Sequence, residues 1–281
     1  MSESLRIAVL GAGNMGSALI GGVLKARVVT PEHLTATVRS RARADELTAQ
    51  YGVRVSAGGN RDAAARSDVV ILAVKPSTVA LVMEEIRDAL GPEKILVSLA
   101  ASLPLSAIEK LAGCAMPMFR AMPNIPVVVE EGAIAITANK VVTAEQRDLV
   151  ESIFRAVGVV CFVEEDLMDA VTALSGSGPA YIYMVIEALI AGGVKMGLSR
   201  EISTRLSEQT VLGAAKLVRQ TKLHPAILRD QVITPGGVTI SAIHELEKHG
   251  LRSMLISAVE TATNHSRQRT KMLLDKMEHH E

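Results

Sequence analysis

The sequence predicts an α/β protein: a doubly wound parallel sheet in its front part and an all-helical back part. Three observations carry this reading. Near the start, the apolar run Ile7–Leu10 enters Gly11, Gly13 and Gly16 and gives way at once to the apolar segment Ala18–Leu24, the pattern of strand, tight turn and helix. Short apolar runs then alternate with helical patterns up to residue 163, and such alternation builds a parallel sheet with helices on both faces. Past Glu164-Glu165-Asp166 only helical patterns follow. With 281 residues there is room for two domains of ordinary size, expected at 1–163 and 164–281.

Thr30-Pro31-Glu32 is a turn and Leu34–Val38 the second strand. Ala42–Tyr51 reads as a helix, Val53–Val55 as a short strand, and Arg61–Ala65 as a short helix that Asn60 opens. Asp68–Val74 reads as a strand broken by Lys75-Pro76, apolar enough to be covered on both faces. Ser77 is expected to cap the next helix, whose Val79, Val82, Met83, Ile86 and Leu90 share one stripe before Gly91-Pro92 stops it. Ile95–Leu99, a helix at Leu105–Leu111, Met118–Ala121, the turn Met122–Pro126, Ala133–Thr137 and Val159–Val163 complete the alternation. Thr143-Ala144-Glu145-Gln146 has the form of a capping box and starts a helix between the last two strands.

The back part reads as helices at Tyr181–Val194, from Ser199 to about Arg219, at Pro225–Val232, at Thr239–Lys248 and at Leu251–Met277. The first is apolar nearly all round, interrupted by Glu187, and a helix without a polar face must be covered on every side. One small domain offers too little cover, so a homodimer is expected. Glu187 itself reads as a buried, hydrogen-bonded carboxylate.

Lys plus Arg and Asp plus Glu both number 30, with no basic run or aromatic-rich stretch, which argues against a nucleic-acid partner. Hydrophobic residues make up 48% and aromatics 2%, so the core is built from small aliphatic side chains and Met. Cys114 and Cys161 sit in unrelated apolar surroundings and read as two buried free thiols in a reducing compartment. The first residues, Met-Ser-Glu-Ser-Leu-Arg, lack a leader pattern, and no run of about 18 uncharged apolar residues occurs. A soluble, cytoplasmic protein without a membrane partner is expected.

In a dinucleotide-binding unit the first glycine makes the turn, the second admits the pyrophosphate and the third lets helix and strand pack closely. The same glycines would also suit an ordinary turn; the preceding strand and following helix favour the nucleotide site. Arg39-Ser40-Arg41 ends the second strand, where an NAD enzyme carries Asp or Glu about 20 residues past the glycines and arginine suits a 2'-phosphate instead. That points to NADPH; a solvated basic turn is the plain alternative. Asn60 either caps its helix or touches the adenosine end.

Ser175-Gly176-Ser177-Gly178-Pro179-Ala180-Tyr181 and Thr234-Pro235-Gly236-Gly237-Val238-Thr239 are small-residue loops, each leading into a helix. Their N–H groups and the Thr239 hydroxyl suit a carboxylate; singly, each also reads as a helix start with turn glycines. Lys195 reads as a helix C-terminal cation, or less simply as a general acid. His244 and Glu245 lack metal-ligand spacing, and no metal site is expected.

Together these residues resemble the pyrroline-5-carboxylate reductase family. The resemblance rests on Gly11–Gly16 with Asn14-Met15, Ala73-Val74-Lys75-Pro76, Met122-Pro123-Asn124, Ala173–Tyr181, Gly192–Gly197 and Thr234–Ile240, the last being the most specific. It implies an N-terminal Rossmann domain and a C-terminal helical dimerisation domain whose partner helps complete the site, with larger assemblies open. It implies reduction of 1-pyrroline-5-carboxylate to L-proline, the last step of proline synthesis, with NADPH or NADH. Carried over by position, Gly11, Ala12, Gly13, Asn14, Met15 and Gly16 take the cofactor's pyrophosphate and nicotinamide path. Arg39, Ser40 and Asn60 face its ribose and 2'-phosphate, and Ala73, Val74, Lys75, Pro76 and Asn124 belong to the cofactor groove. Ser175, Gly176, Ser177, Gly178, Gly236, Gly237 and Thr239 surround the substrate, Thr239 with a direct role. An imine nitrogen is basic enough to take its proton from water, so no side-chain acid is required. Two alternatives stay open: another NADPH-linked reductase using Lys195 as its acid, and a non-catalytic NADPH-binding regulator.

Overall fold

The structure is a computed structural model that describes residues 5–278. The chain divides into two compact units, one holding the residues up to Ser177 together with those from Ala262 on, the other Gly178–Thr261.

In the first unit β1 (Ile7–Leu10) leads into α1 (Asn14–Lys25), then β2 (Leu34–Val38), α2 (Arg41–Tyr51), β3 (Arg54–Ala57), α3 (Asn60–Ala65), β4 (Val69–Leu72) and α4 (Pro76–Ile86). β5 (Ile95–Ser98), α5 (Leu105–Ala112), β6 (Met118–Met122), β7 (Gly132–Ala138), α6 (Ala144–Arg155), β8 (Gly158–Phe162) and the short α7 (Met168–Val171) follow. The eight strands form one sheet in the order β3-β2-β1-β4-β5-β6-β7-β8. β1, β4 and β5 are buried along their whole length, as strands covered on both faces must be.

Each face of the sheet has its own apolar layer. Leu19, Ile20 and Val23 of α1, Leu47 of α2 and Ile153 and Phe154 of α6 pack on one face. Val79, Met83 and Ile86 of α4 and Ile108 of α5 pack on the other, with Leu273 and Leu274 from near the C-terminus against it. Arg61 forks onto Asp88 through Nε and Nη2 at 2.6–3.0 Å. The bonded guanidinium lowers the carboxyl's pKa, but in full exposure such a pair contributes little to stability.

The sheet is not wholly parallel. β6 and β7 run antiparallel, with Phe119 opposite Ala138 and Met122 opposite Ala135, while every other pair is parallel. The connection from β6 to β7 holds only the short 3-10 turn Ile125–Val129, and a parallel return needs a crossover of about a dozen residues or more, usually a helix. The capping box at Thr143 and Gln146 is formed in both directions. Ser77, by contrast, does not cap α4: Lys75 holds the cap position and Pro76 the first helical one, where its fixed φ is suited and its missing N–H costs nothing. The cysteines are free, yet Cys114 is half-buried and Cys161 exposed. Cys161 lies on β8, an edge strand whose residues alternate in exposure.

The second unit begins with α8 (Gly178–Lys195), followed by α9 (Arg200–Thr221), α10 (Pro225–Val232), α11 (Val238–Lys248) and the start of α12 (Leu251–Glu278). α8 has no buried residue: Ile182, Tyr183, Met184 and Leu189 are 45–69% exposed. Glu187 is exposed as well within the single chain; it lines a cavity of about 660 Å³ with Tyr183, Ile186, Arg200, Thr204 and Glu208. By length and composition, Glu165–Lys195 is apolar enough to cross a membrane. Glu187 interrupts the segment, so the expectation that no unbroken run of about 18 uncharged apolar residues occurs still holds. Lys195 lies in the last turn of α8, where a cation complements the helix dipole.

Candidate active site

The loops after β1, β2 and β4 leave the carboxyl edge of the sheet side by side, because Leu10 pairs with Thr37 on one flank and Leu72 on the other. Strand order reverses between β1 and β4, and open α/β sheets bind their ligands at this switch point.

The first of these loops holds the glycines. Gly11 has φ +86°, and a Cβ there would lie 2.4 Å from Val74 Cγ1 and 3.3 Å from the Ala73 backbone, so only glycine fits both the conformation and the space. At Gly16 a Cβ would come within 3.2 Å of Ala73 Cβ and 3.1 Å of Val9 Cγ1, which is the close helix-to-strand packing expected of the third glycine. Gly13 differs: it is exposed, and a Cβ there would meet nothing within 4 Å. The opening beside it faces the start of α1, which has no side-chain cap and no acid in its first turn. Ser17 N–H donates to Gly13 O, so the N–H groups of Asn14, Met15 and Gly16 precede the first intrahelical bond and stay free for an anion. An open cradle with three free donors fits a dinucleotide pyrophosphate.

A buried threonine fixes this turn. Gly11 N–H donates to the Thr37 carbonyl at 3.1 Å and is 3.2 Å from Thr37 Oγ1, and Ala12 N–H donates to the same carbonyl at 2.7 Å. Thr37 Oγ1 donates to Asn60 Oδ1 at 2.7 Å, and Asn60 Nδ2 donates to Glu85 Oε2 at 2.6 Å. Asn60 therefore does not cap α3, whose cap position is Gly59; its amide supports Thr37 instead.

Arg39 follows β2 directly and is exposed. Ser40 caps α2, its Oγ accepting from Arg43 N–H at 3.4 Å, which leaves its own O–H to donate. Arg41 pairs with Asp45 at 3.4 Å. Arg43 escaped the sequence reading: Nη2 donates to Ser17 Oγ of α1 at 3.5 Å while Nη1 pairs with Glu46 at 2.6 Å. The available signal was its spacing, four residues beyond Arg39 at the start of a helix. Lys75, at the head of α4, is exposed.

Asn124, which the resemblance assigns to the cofactor, has both ends of its amide bonded to protein. Oδ1 accepts from Ala133 N–H at 2.8 Å and Nδ2 donates to the Ser175 carbonyl at 3.0 Å. Ser175 belongs to a π-helical turn, Thr172–Gly176, just ahead of α8, and π turns occur often at functional sites.

In the second unit, Thr234-Pro235-Gly236-Gly237 forms a tight turn closed by Gly237 N–H to Thr234 O at 3.0 Å. Pro at the second position and Gly236 at the third with φ +68° follow the type II pattern. Gly237 is the cap position of α11 and makes no side-chain cap bond, so the first turn again offers free N–H groups. Thr239 stands in that turn, half-buried, and its hydroxyl makes no hydrogen bond to any described residue.

A glycine turn at the switch point, an uncapped helix start and a guanidinium at the end of β2 define a dinucleotide-dependent oxidoreductase. In agreement, residues 6–102 match the family model described as NADP oxidoreductase, coenzyme F420-dependent, and residues 165–269 match that of pyrroline-5-carboxylate reductase dimerisation. The pyrroline-5-carboxylate reductase of Methanosarcina acetivorans is 43% identical over 95% of this chain and 98% of its own. That of Arabidopsis thaliana is 40% identical over 95% and 96%. Among solved structures, the Coxiella burnetii reductase superimposes with a TM-score of 0.90 at 39% identity, covering 95% of this chain and 98% of its own. The Plasmodium falciparum enzyme, with NADP bound, gives 0.85 at 32% identity, covering 96% and 100%. The chain belongs to the pyrroline-5-carboxylate reductase family.

Proposed function

We propose that this chain carries out its family's reaction, reducing 1-pyrroline-5-carboxylate to L-proline with NADPH or NADH, as a soluble cytoplasmic homodimer whose partner subunit completes the site. The observation that carries the cofactor half is the cradle at Gly13 beside three free N–H groups, with Arg39 unpaired among the described residues. Residues 1–163 act as the cofactor domain and 164–281 as the substrate-binding and dimerisation domain. When bound, the reduced nicotinamide supplies a hydride to the imine carbon while the imine nitrogen takes up a proton.

The chain's own residues bind and orient. Gly11 to Gly16 with Asn14 and Met15 hold the pyrophosphate, Ala73 to Pro76 border the groove, and Arg39, Ser40 and Asn60 lie at the ribose end. Ser175 to Gly178, Gly236, Gly237 and Thr239 hold the substrate, with main-chain N–H groups and the Thr239 hydroxyl on its carboxylate end. Acceleration then comes chiefly from positioning, and Lys195, exposed at the end of α8, is not required as an acid.

Two variants test these roles. Thr239→Ala removes one hydrogen bond to the substrate and is expected to cost roughly 1–3 kcal/mol of transition-state binding, about tenfold to a hundredfold in kcat/KM; unchanged steady-state kinetics would take Thr239 out of the site. Arg39→Ala is expected to raise the KM for NADPH by about tenfold or more and leave NADH nearly unaffected, since the lost fork serves the 2'-phosphate alone. Equal loss for both cofactors would contradict that contact.

A further inference from the structure

The Ser175 carbonyl lacks its ordinary α-helical donor. In an α-helix it would accept from the residue four positions on, and that residue is Pro179, which has no N–H. The missing donor comes from Asn124 Nδ2 at 3.0 Å. Asn124 is only 8% exposed, and its other end is fixed on β7 by the 2.8 Å bond from Ala133 N–H. Close approach is built in as well: a Cβ on Gly176 would lie 3.0 Å from Met122 Cε, the last residue of β6.

The rest of the segment is anchored by comparable means. Glu165 at its start accepts from Arg120 Nη1 of β6 at 2.8 Å and from Leu105 N–H at 3.2 Å. Asp169 in its middle accepts from the hydroxyls of Ser266 at 2.6 Å and Thr270 at 3.3 Å. Within the π turn, Ser177 N–H reaches the Thr172 carbonyl five residues back at 2.9 Å, and the Ser175 hydroxyl is turned back onto the Val171 carbonyl at 3.1 Å. At the far end, where the turn meets Gly178, Asn124 supplies a side-chain bond from outside the segment.

We propose that Asn124 is a positioning residue for substrate, holding the Ser175–Gly178 turn in place through its bond to the carbonyl that Pro179 leaves without an α-helical donor, and not a cofactor contact. This rests on the reading that the Ser175–Gly178 turn meets the substrate. Asn124→Asp keeps the acceptor for Ala133 N–H and turns the donor into a carboxylate oxygen facing a carbonyl. Asn124→Ala removes both bonds.

The test measures, for parent and both variants, kcat and KM for 1-pyrroline-5-carboxylate, the NADPH Kd by nicotinamide fluorescence without imine, and Tm. Both variants are expected to raise the imine KM and lower kcat/KM by about tenfold or more, with the NADPH Kd within about twofold. In Asn124→Asp the loss shrinks as pH falls from about 8 to about 5.5, because burial raises the carboxyl pKa and its protonated form can donate to Ser175 O. The ratio of variant to parent kcat/KM therefore rises towards acid for Asp and stays flat for Ala. NADPH binding that weakens in step with the imine KM, a ratio flat with pH in both variants, or kinetics like the parent's would each overturn the assignment. If Asn124→Ala does not fold, Asn124→Asp decides alone. A parent that makes no proline defeats the underlying reading; an active parent with insensitive variants defeats only the role of Asn124.

Discussion

Gly11→Ala is expected to lower stability by about 2–5 kcal/mol and to remove most of the NADPH affinity. Two causes add. A left-handed φ of +86° costs an L-residue about 1–2 kcal/mol, and a methyl 2.4 Å from Val74 Cγ1 must displace a β-branched side chain, an overpacking worth about 1–3 kcal/mol. In a unit of this size the Tm should fall by about 5–15 °C. Relief by movement would draw Gly11 N–H away from Thr37 and carry the start of α1 with it. Gly13→Ala is the control, since its methyl meets no protein atom within 4 Å. It should leave Tm unchanged and still weaken NADPH by about tenfold or more by filling the cradle. Equal Tm for both variants, or full NADPH affinity in Gly13→Ala, would contradict the placement of the cofactor.

Met184→Glu is expected to convert the proposed dimer to monomer and to abolish most of the activity with it. Met184 is 69% exposed on an 18-residue helix that buries no residue within its own chain. A surface of this kind marks an interaction site, and residues 165–269 match a dimerisation family, which supports the proposal that a second copy covers it. A carboxylate there would be desolvated without a partner, at a cost of several kcal/mol. Light scattering at micromolar concentration should give a dimer for the parent and a monomer for the variant, with kcat/KM reduced by about a hundredfold or more. A parent that is monomeric and fully active would contradict the shared site.

Features that a residue carries locally were legible before the fold was known. Gly11 and Gly16 are required by conformation and contact at their own positions, β1, β4 and β5 are apolar on both faces, and the Thr143 box closes within four residues. What was hidden depends on partners distant in sequence. Asn60 finds Thr37 at a separation of 23 residues and Asn124 finds Ser175 at 51, and no local pattern shows where an amide will spend its bonds. The antiparallel β7 was missed for a related reason: the alternation of elements hides how short the connection from β6 is. Ser77 lost its expected cap to Pro76, a steric preference that outweighs a hydroxyl. Exposure of Cys161 follows from placement on an edge strand, which composition does not show.

The proposed function has a reduced nicotinamide cofactor and a five-membered cyclic imino acid react on this chain. Its most direct test is incubation of the purified protein with NADPH and 1-pyrroline-5-carboxylate, following NADPH absorbance and free proline together. One proline formed for each NADPH oxidised is the expected result. NADPH consumed without proline, or no turnover by a folded protein that binds NADPH, would contradict it.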